Sequence, residues 1–254
     1  MEWYLILALI GAGFLAGFIN TLAGSGSLIT LPMLMFLGLP ANVANGTNRI
    51  AILLQNVVGV GSFKQQKVLN TKMGFWLAIP AVIGSLVGAQ IAVELNEEIM
   101  ERTIAVLLLI MFFLILYKPQ QWIKGQAGYV ESKPTILQII IFFLIGIYGG
   151  FIQAGVGLFL LAGLVLSAGV NVVRANAMKL LIILIYSPFA IAIFAMNDQI
   201  NWEFGLILAV GNMLGAFIAS RFAVSWGAKY VRYILLGVIL LSSLKLLGVF
   251  EYVF

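Results

Sequence analysis

Gly17-Phe18-Ile19-Asn20-Thr21-Leu22-Ala23-Gly24-Ser25-Gly26-Ser27-Leu28 interrupts an apolar run, and the run that follows, 28–39, is only 12 residues long. Twelve helical residues rise about 18 Å, well short of the roughly 30 Å hydrocarbon core of a bilayer. The segment therefore reads as a half-helix or re-entrant piece. The pattern returns once: Gly150-Phe151-Ile152-Gln153-Ala154-Gly155-Val156-Gly157 leads into an equally short run at 157–168.

Working outward, the two stretches belong to a longer internal repeat. Gly38 matches Gly169, and Ala44-Asn45 matches Ala175-Asn176, both at an offset of 131, which sets Asn48 opposite Lys179. Gly84-Ser85-Leu86-Val87-Gly88-Ala89 pairs with Gly211-Asn212-Met213-Leu214-Gly215-Ala216. Such self-similarity decides the reading of the whole chain.

The remaining sequence is apolar in the same manner. Of 254 residues, 63% are hydrophobic and 9% charged, against about 25% charged in a soluble domain. A water-facing surface cannot be built from so few charges, so soluble, disordered and fibrous classes are excluded. Continuous apolar runs at about 3–22, 43–63, 73–93, 102–117, 135–154, 172–195, 204–222 and 230–250 exclude the alternating pattern of a membrane barrel. The expected fold is an all-α polytopic membrane protein. Residues 1–117 form a first repeat, 118–134 a cytoplasmic linker and 135–254 a second repeat within one membrane domain. The start Met1-Glu2-Trp3 lacks the positive region of a signal peptide, so the first run is expected to stay as structure.

Loop charge sets the orientation of the copies. The 64–72 loop carries Lys64, Lys67 and Lys72, whereas its counterpart near 196–203 carries Asp198 and Glu203. The 94–102 loop carries Glu94, Glu97, Glu98 and Glu101 against Arg102; its counterpart carries Arg221, Lys229 and Arg232. Because Lys and Arg stay cytoplasmic, loops 64–72, 118–134 and 222–232 are expected inside, with 94–101, 196–203 and both termini outside. Each half then crosses an odd number of times: an inverted-topology repeat of a glycine-broken re-entrant hairpin plus three spanning helices. Inverted repeats with broken helices mark secondary transporters. The competing reading is eight plain spans in two parallel repeats.

Chemistry enters through polar residues at membrane depth. Asn45, Asn48, Arg49, Gln55 and Asn56 share one helical face, and Arg174, Asn176, Lys179, Tyr186 and Ser187 do much the same in the copy. For Gln55, Asn56, Gln90 and Asn212, helix-to-helix bonding worth about 0.6 kcal/mol a contact is a sufficient reason. Arg49 and Lys179 are harder to explain, since a cation at a helix centre costs about 2.5–3.5 kcal/mol. No acidic residue sits inside an apolar run, so the expected counter-ion is a bound anion. The competing reading is snorkelling, because both lie within two turns of their helix starts; it is preferred for Arg174, and Lys245 reads as an interfacial anchor. Half-helices beginning at Ser25–Ser27 and at Gly155–Gly157 would add N–H donors and a positive dipole end. The chain has no Cys or His and no catalytic constellation. An enzyme, a cofactor and a metal site are therefore not expected.

The quoted blocks, with Leu31-Pro32 and Gly38-Leu39-Pro40-Ala41-Asn42-Val43-Ala44-Asn45-Gly46-Thr47-Asn48-Arg49, resemble the TauE/SafE sulfite exporters over essentially the whole chain. The second copy departs from that pattern in reading Ala154-Gly155-Val156-Gly157-Leu158 and in carrying Arg174 and Lys179. The resemblance implies efflux of sulfite or of a sulfonate such as sulfoacetate. The expected substrate site comprises Asn20, Ser25, Gly26, Asn45, Asn48 and Arg49 from the first half, with Gln153, Gly155, Asn176 and Lys179 from the second. Alternating access around it, in a bacterial inner membrane, is the expected mechanism. An anion channel, a membrane scaffold and an importer are the rivals. The partners expected are a small anionic substrate and the lipid bilayer, not nucleic acid; a homodimer is left open.

Overall fold

A computed structural model describes residues 2–117 and 134–222. Most of the expected linker, the 230–250 run, Lys229, Arg232 and Lys245 lie outside the described residues. Among the described residues every regular element is helical. In the first half these are α1 (Trp3–Ala23), α2 (Ser27–Phe36), α3 (Ala41–Gln65), α4 (Thr71–Glu94) and α5 (Glu97–Leu116). In the second they are α6 (Ile136–Phe151), α7 (Val156–Ala162, prolonged by a π-helical turn Gly163–Ser167), α8 (Val172–Met196) and α9 (Trp202–Phe222). Five of them, α1, α4, α5, α8 and α9, are long and apolar enough to cross a membrane. α3 has the same 25 residues as α8 but is too polar to qualify.

The two short apolar runs become the two short helices. Each is bracketed by glycines that alone adopt a left-handed backbone cheaply: Gly24 (φ 77°) and Gly38 (φ 92°) around α2, Gly155 (φ 74°) and Gly169 (φ 65°) around α7. Both pairs stand at the offset of 131 found in the sequence. The non-glycine residues with positive φ, Lys67 (58°) and Asp198 (55°), stand at that offset too. Backbone geometry thus repeats where side-chain chemistry has diverged.

One expectation is corrected. The acidic 94–101 segment is not a loop: Asn96 accepts a bond from the Ile99 N–H at 2.8 Å and starts α5 at Glu97. Glu97 and Glu98 fall in its first turn, where the positive end of the helix dipole favours them. Asn201 starts α9 the same way, through the Phe204 N–H at 3.1 Å, drawing Glu203 into the helix.

Glycine stripes set the packing. A Cβ on Gly211 or Gly215 would stand 2.1 Å from a carbonyl of α1 (Ile10 and Phe14), so α1 and α9 run parallel with backbones in contact. Gly84 and Gly88 meet Phe143 and Ile147 of α6 at 2.1 and 1.9 Å in the same fashion, making α4 and α6 parallel. Each half thus lends its first helix to a glycine-striped helix of the other, α1 to α9 and α6 to α4. Between these pairs α3 and α8 cross antiparallel, with Gly46 against Phe194 and Gly59 against Leu180. At the centre the breaks touch: a Cβ on Gly24 would lie 2.4 Å from the Gly157 carbonyl carbon.

Candidate functional site

Helix breaks leave carbonyls as well as N–H groups without intrahelical partners. α1 ends at Ala23 and α6 at Phe151, each inside the protein, so two sets of C-terminal carbonyls, the negative dipole ends, are buried. The two cations go there. Lys179 Nζ donates to the Asn20 carbonyl at 2.9 Å, the Thr21 carbonyl at 3.4 Å and Asn176 Oδ1 at 2.8 Å. The Arg49 guanidinium donates to the carbonyls of Gly149 (2.9 Å), Gly150 (2.6 Å) and Phe151 (3.3 Å), to Gln153 Oε1 (3.3 Å) and to Asn45 Oδ1 (3.5 Å). It also lies 4.5 Å from the centre of the Phe194 ring. Each cation therefore caps the first helix of the opposite half.

Arg49 and Lys179 are both 0% exposed, which overturns the snorkelling reading. The counter-ion expected from the sequence is a bound anion; in this structure main-chain carbonyls contact both cations. Those carbonyls are dipoles and carry no net charge. No carboxylate forms an ion pair with either cation among the described residues, where the ion pair present is the exposed Arg102–Glu98.

Polar side chains extend both clusters. Asn45 Nδ2 donates to the Phe151 carbonyl at 2.8 Å. Asn20 Nδ2 donates to Gln55 Oε1 at 3.2 Å, and Gln153 Nε2 donates to the Tyr186 hydroxyl at 3.1 Å. These last two are the same bond drawn twice, since Asn20 matches Gln153 in the quoted blocks and Gln55 stands 131 residues before Tyr186. Asn212 Nδ2 donates to Gln55 Oε1 at 3.2 Å as well, tying α9 to the first cluster. Asn48 Oδ1 accepts from Thr30 Oγ1 at 2.6 Å, binding α2 to α3.

Seven of the ten expected site residues make these buried contacts: Asn20, Asn45, Asn48, Arg49, Gln153, Asn176 and Lys179. The other three make the turns. Ser25 Oγ donates to the Ala23 carbonyl at 3.5 Å within its own break. Gly26 packs on α1, where a Cβ would stand 2.0 Å from the Ala16 carbonyl. Gly155 faces α5, where a Cβ would meet Met111 Cε at 2.3 Å. The N-terminal donors of the short helices are partly used locally, Leu28 N–H by Ser25 and Leu158 N–H by Gly155. Thr30, Phe194 and the C-terminal carbonyls contact these residues although residue chemistry alone does not select them.

Several buried polar atoms on α3 have no partner: Asn48 Nδ2, Arg49 Nε, Gln55 Nε2 and both side-chain atoms of Asn56. Ser187 Oγ on α8 is in the same condition. An unsatisfied buried donor costs about 1–3 kcal/mol, so a run of them along one helix calls for an explanation.

A broken-helix membrane bundle with a cationic, amide-rich centre is the architecture of a membrane transporter. The chain matches the family Sulfite exporter TauE/SafE over residues 9–246, and it belongs to that family. It is similar to a probable membrane transporter protein, ORF9, of Sinorhizobium sp, at 28% identity over 98% of this chain and 94% of that protein. The probable membrane transporter protein YfcA of Escherichia coli K12 is 27% identical over 96% of this chain and 90% of its own length. A probable membrane transporter of Haemophilus influenzae is 25% identical over 90% and 89%. No solved structure matches the chain.

Proposed function

We propose that this protein is a secondary carrier that exports sulfite or a small sulfonate by alternating access between two inverted repeats. The observation that carries the reading is the enclosed pair Arg49 and Lys179, which meet neutral groups and no carboxylate among the described residues, beside a helix whose unpartnered atoms are mostly N–H donors. A small oxyanion supplies both missing terms, a compensating charge and several acceptors. The inverted arrangement is supported by the helix directions: α1 follows α9, α6 follows α4, and α4 begins near the end at which α9 finishes, where Ser62 and Ser220 bond at 2.7 Å. The choice of sulfur anion and of export rests on the family description.

In this conformation the cations hold helix ends. Transport then exchanges some of those carbonyls for substrate oxygens, and the exchange loosens α6 from α3 or α1 from α8. The tethered ammonium and guanidinium occupy carbonyl sites of the kind that coordinate sodium in other broken-helix carriers. Sodium is therefore not needed, and a cytoplasm-negative potential drives an anion outward by about 2.3 kcal/mol per charge per 100 mV.

The test is sulfite flux from proteoliposomes with an imposed potential, in sodium and in choline buffer. Flux should follow the sign of the potential, persist in choline and vanish in the Arg49→Gln and Lys179→Gln variants. Flux in the double variant equal to that of the unaltered protein overturns the reading. Saturable counterflow separates a carrier from a channel.

A further inference from the structure

At the Lys-rich end of the bundle, α4 and α8 start side by side, with Gly74 packed on Leu181. A cavity of about 540 Å³ opens there, lined by Lys67, Lys72 and Arg174 together with Asn70 and Thr71 and, among the described residues, by no carboxylate. A second cavity of about 390 Å³ shares Thr71 and Lys72 with the first and continues along the helices between Phe75 and Trp76 of α4 and Leu181 and Ile185 of α8. Its accessible wall is almost wholly apolar, and Phe75 and Trp76 are 55% and 52% exposed. From Arg174 to Ile185 the helix rises about 16 Å, the length scale of an acyl chain. None of these residues belongs to the central clusters.

The structure assigns this composite groove to an anionic phospholipid, its phosphodiester among Lys67, Lys72 and Arg174 and an acyl chain lying between Phe75, Trp76, Leu181 and Ile185. Charge decides the class of occupant. Three cations without an acidic neighbour among the described residues favour an anionic headgroup over a zwitterionic one. The apolar extension decides for a lipid over a free anion, since burying a chain against aromatic side chains adds a term that a bare headgroup lacks. Trp76 one turn beyond Lys72 stands where the polar and apolar parts of a lipid meet. A lipid seated here touches both α4 and α8 and so bridges the two halves of the chain.

The experiment uses the full chain purified in neutral detergent, with phosphatidylglycerol, phosphatidylcholine or glycerol 3-phosphate added, read by thermal unfolding and by native mass spectrometry. Phosphatidylglycerol should raise the midpoint by several degrees and remain bound, while phosphatidylcholine and glycerol 3-phosphate should not. In Lys67→Gln/Lys72→Gln/Arg174→Gln the retained phosphatidylglycerol should fall at least about tenfold, each basic side chain near an anionic lipid being worth roughly a factor of five. Arg174→Gln alone gives a milder variant should the triple one fold poorly, with a loss of about fivefold. Arg221→Gln, exposed on α9 outside the groove, should retain lipid as the unaltered protein does. Equal stabilisation by phosphatidylcholine, or by glycerol 3-phosphate alone, overturns the assignment, the second result marking a free-anion site. Undiminished retention in Arg174→Gln overturns it as well.

Discussion

Arg49 and Lys179 solve one electrostatic problem with different chemistry. Lys179 presents a point charge to two carbonyls and one amide. Arg49 spreads a planar fork over three successive carbonyls of α6 and two side-chain amides. A lysine cannot reproduce that fork, so Arg49→Lys should leave α6 carbonyls buried without donors at about 1–3 kcal/mol each. Arg49→Lys should therefore lower the thermal midpoint and abolish most sulfite flux although the charge is kept; a variant with unaltered flux and midpoint would show that charge alone matters. The cations themselves were legible in the sequence, as basic residues at membrane depth with no acid to meet them. Most of their partners were not, because they are main-chain groups with no side-chain signature. Asn20, Thr21 and Gly149 to Phe151 act through carbonyls, a group every residue carries, and only the helix break makes those carbonyls available. The break frees N–H groups on one side and carbonyls on the other, and the cations use the carbonyls.

At the scale of the element, apolar length located the helices, and Gly24, Gly38, Gly155 and Gly169 marked the short ones by a backbone demand that other residues meet poorly. The α5 start was lost because apolarity stops at Arg102, whereas the cap at Asn96 fixes the helix five residues earlier. Reading Asn96 ahead of Glu97-Glu98 as a cap signal would have found it. The glycine blocks at 84–89 and 211–216 were legible as a repeat, but their purpose, backbone contact across halves, appears only in three dimensions. They predict a sharp contrast. Gly88→Ala and Gly215→Ala each drive a Cβ to within about 2 Å of a carbonyl (1.9 and 2.1 Å) and should cost about 1–3 kcal/mol by forcing helices apart. Gly61→Ala on α3, whose Cβ meets nothing within 4 Å, should be neutral or slightly stabilising. Thermal unfolding in detergent reads all three, and equal midpoints would mean that the stripes do not hold the bundle.

For the whole molecule, the weight falls on how the halves are oriented. Part of the loop-charge pattern has a second cause, since Glu97, Glu98 and Glu203 sit in first turns where any helix favours acids, whichever side of the membrane it faces. Lys64 likewise sits in the last turn of α3, which favours a cation on either side, whereas Lys67 in the turn and Lys72 in the first turn of α4 have no such local reason and carry the topological signal. A test independent of charge comes from Gln66 and Asn197, which are 131 residues apart, exposed and neutral, and flank the matching turns at Lys67 and Asp198. The chain contains no cysteine, so Gln66→Cys and Asn197→Cys each install a unique thiol without altering the charge pattern. If the halves are inverted, a membrane-impermeant maleimide should label Asn197→Cys in intact cells and Gln66→Cys only after the membrane is opened. Labelling of both from one side would make the halves parallel, and a centre built from two opposed helix ends could not then work by exchanging which side each half exposes.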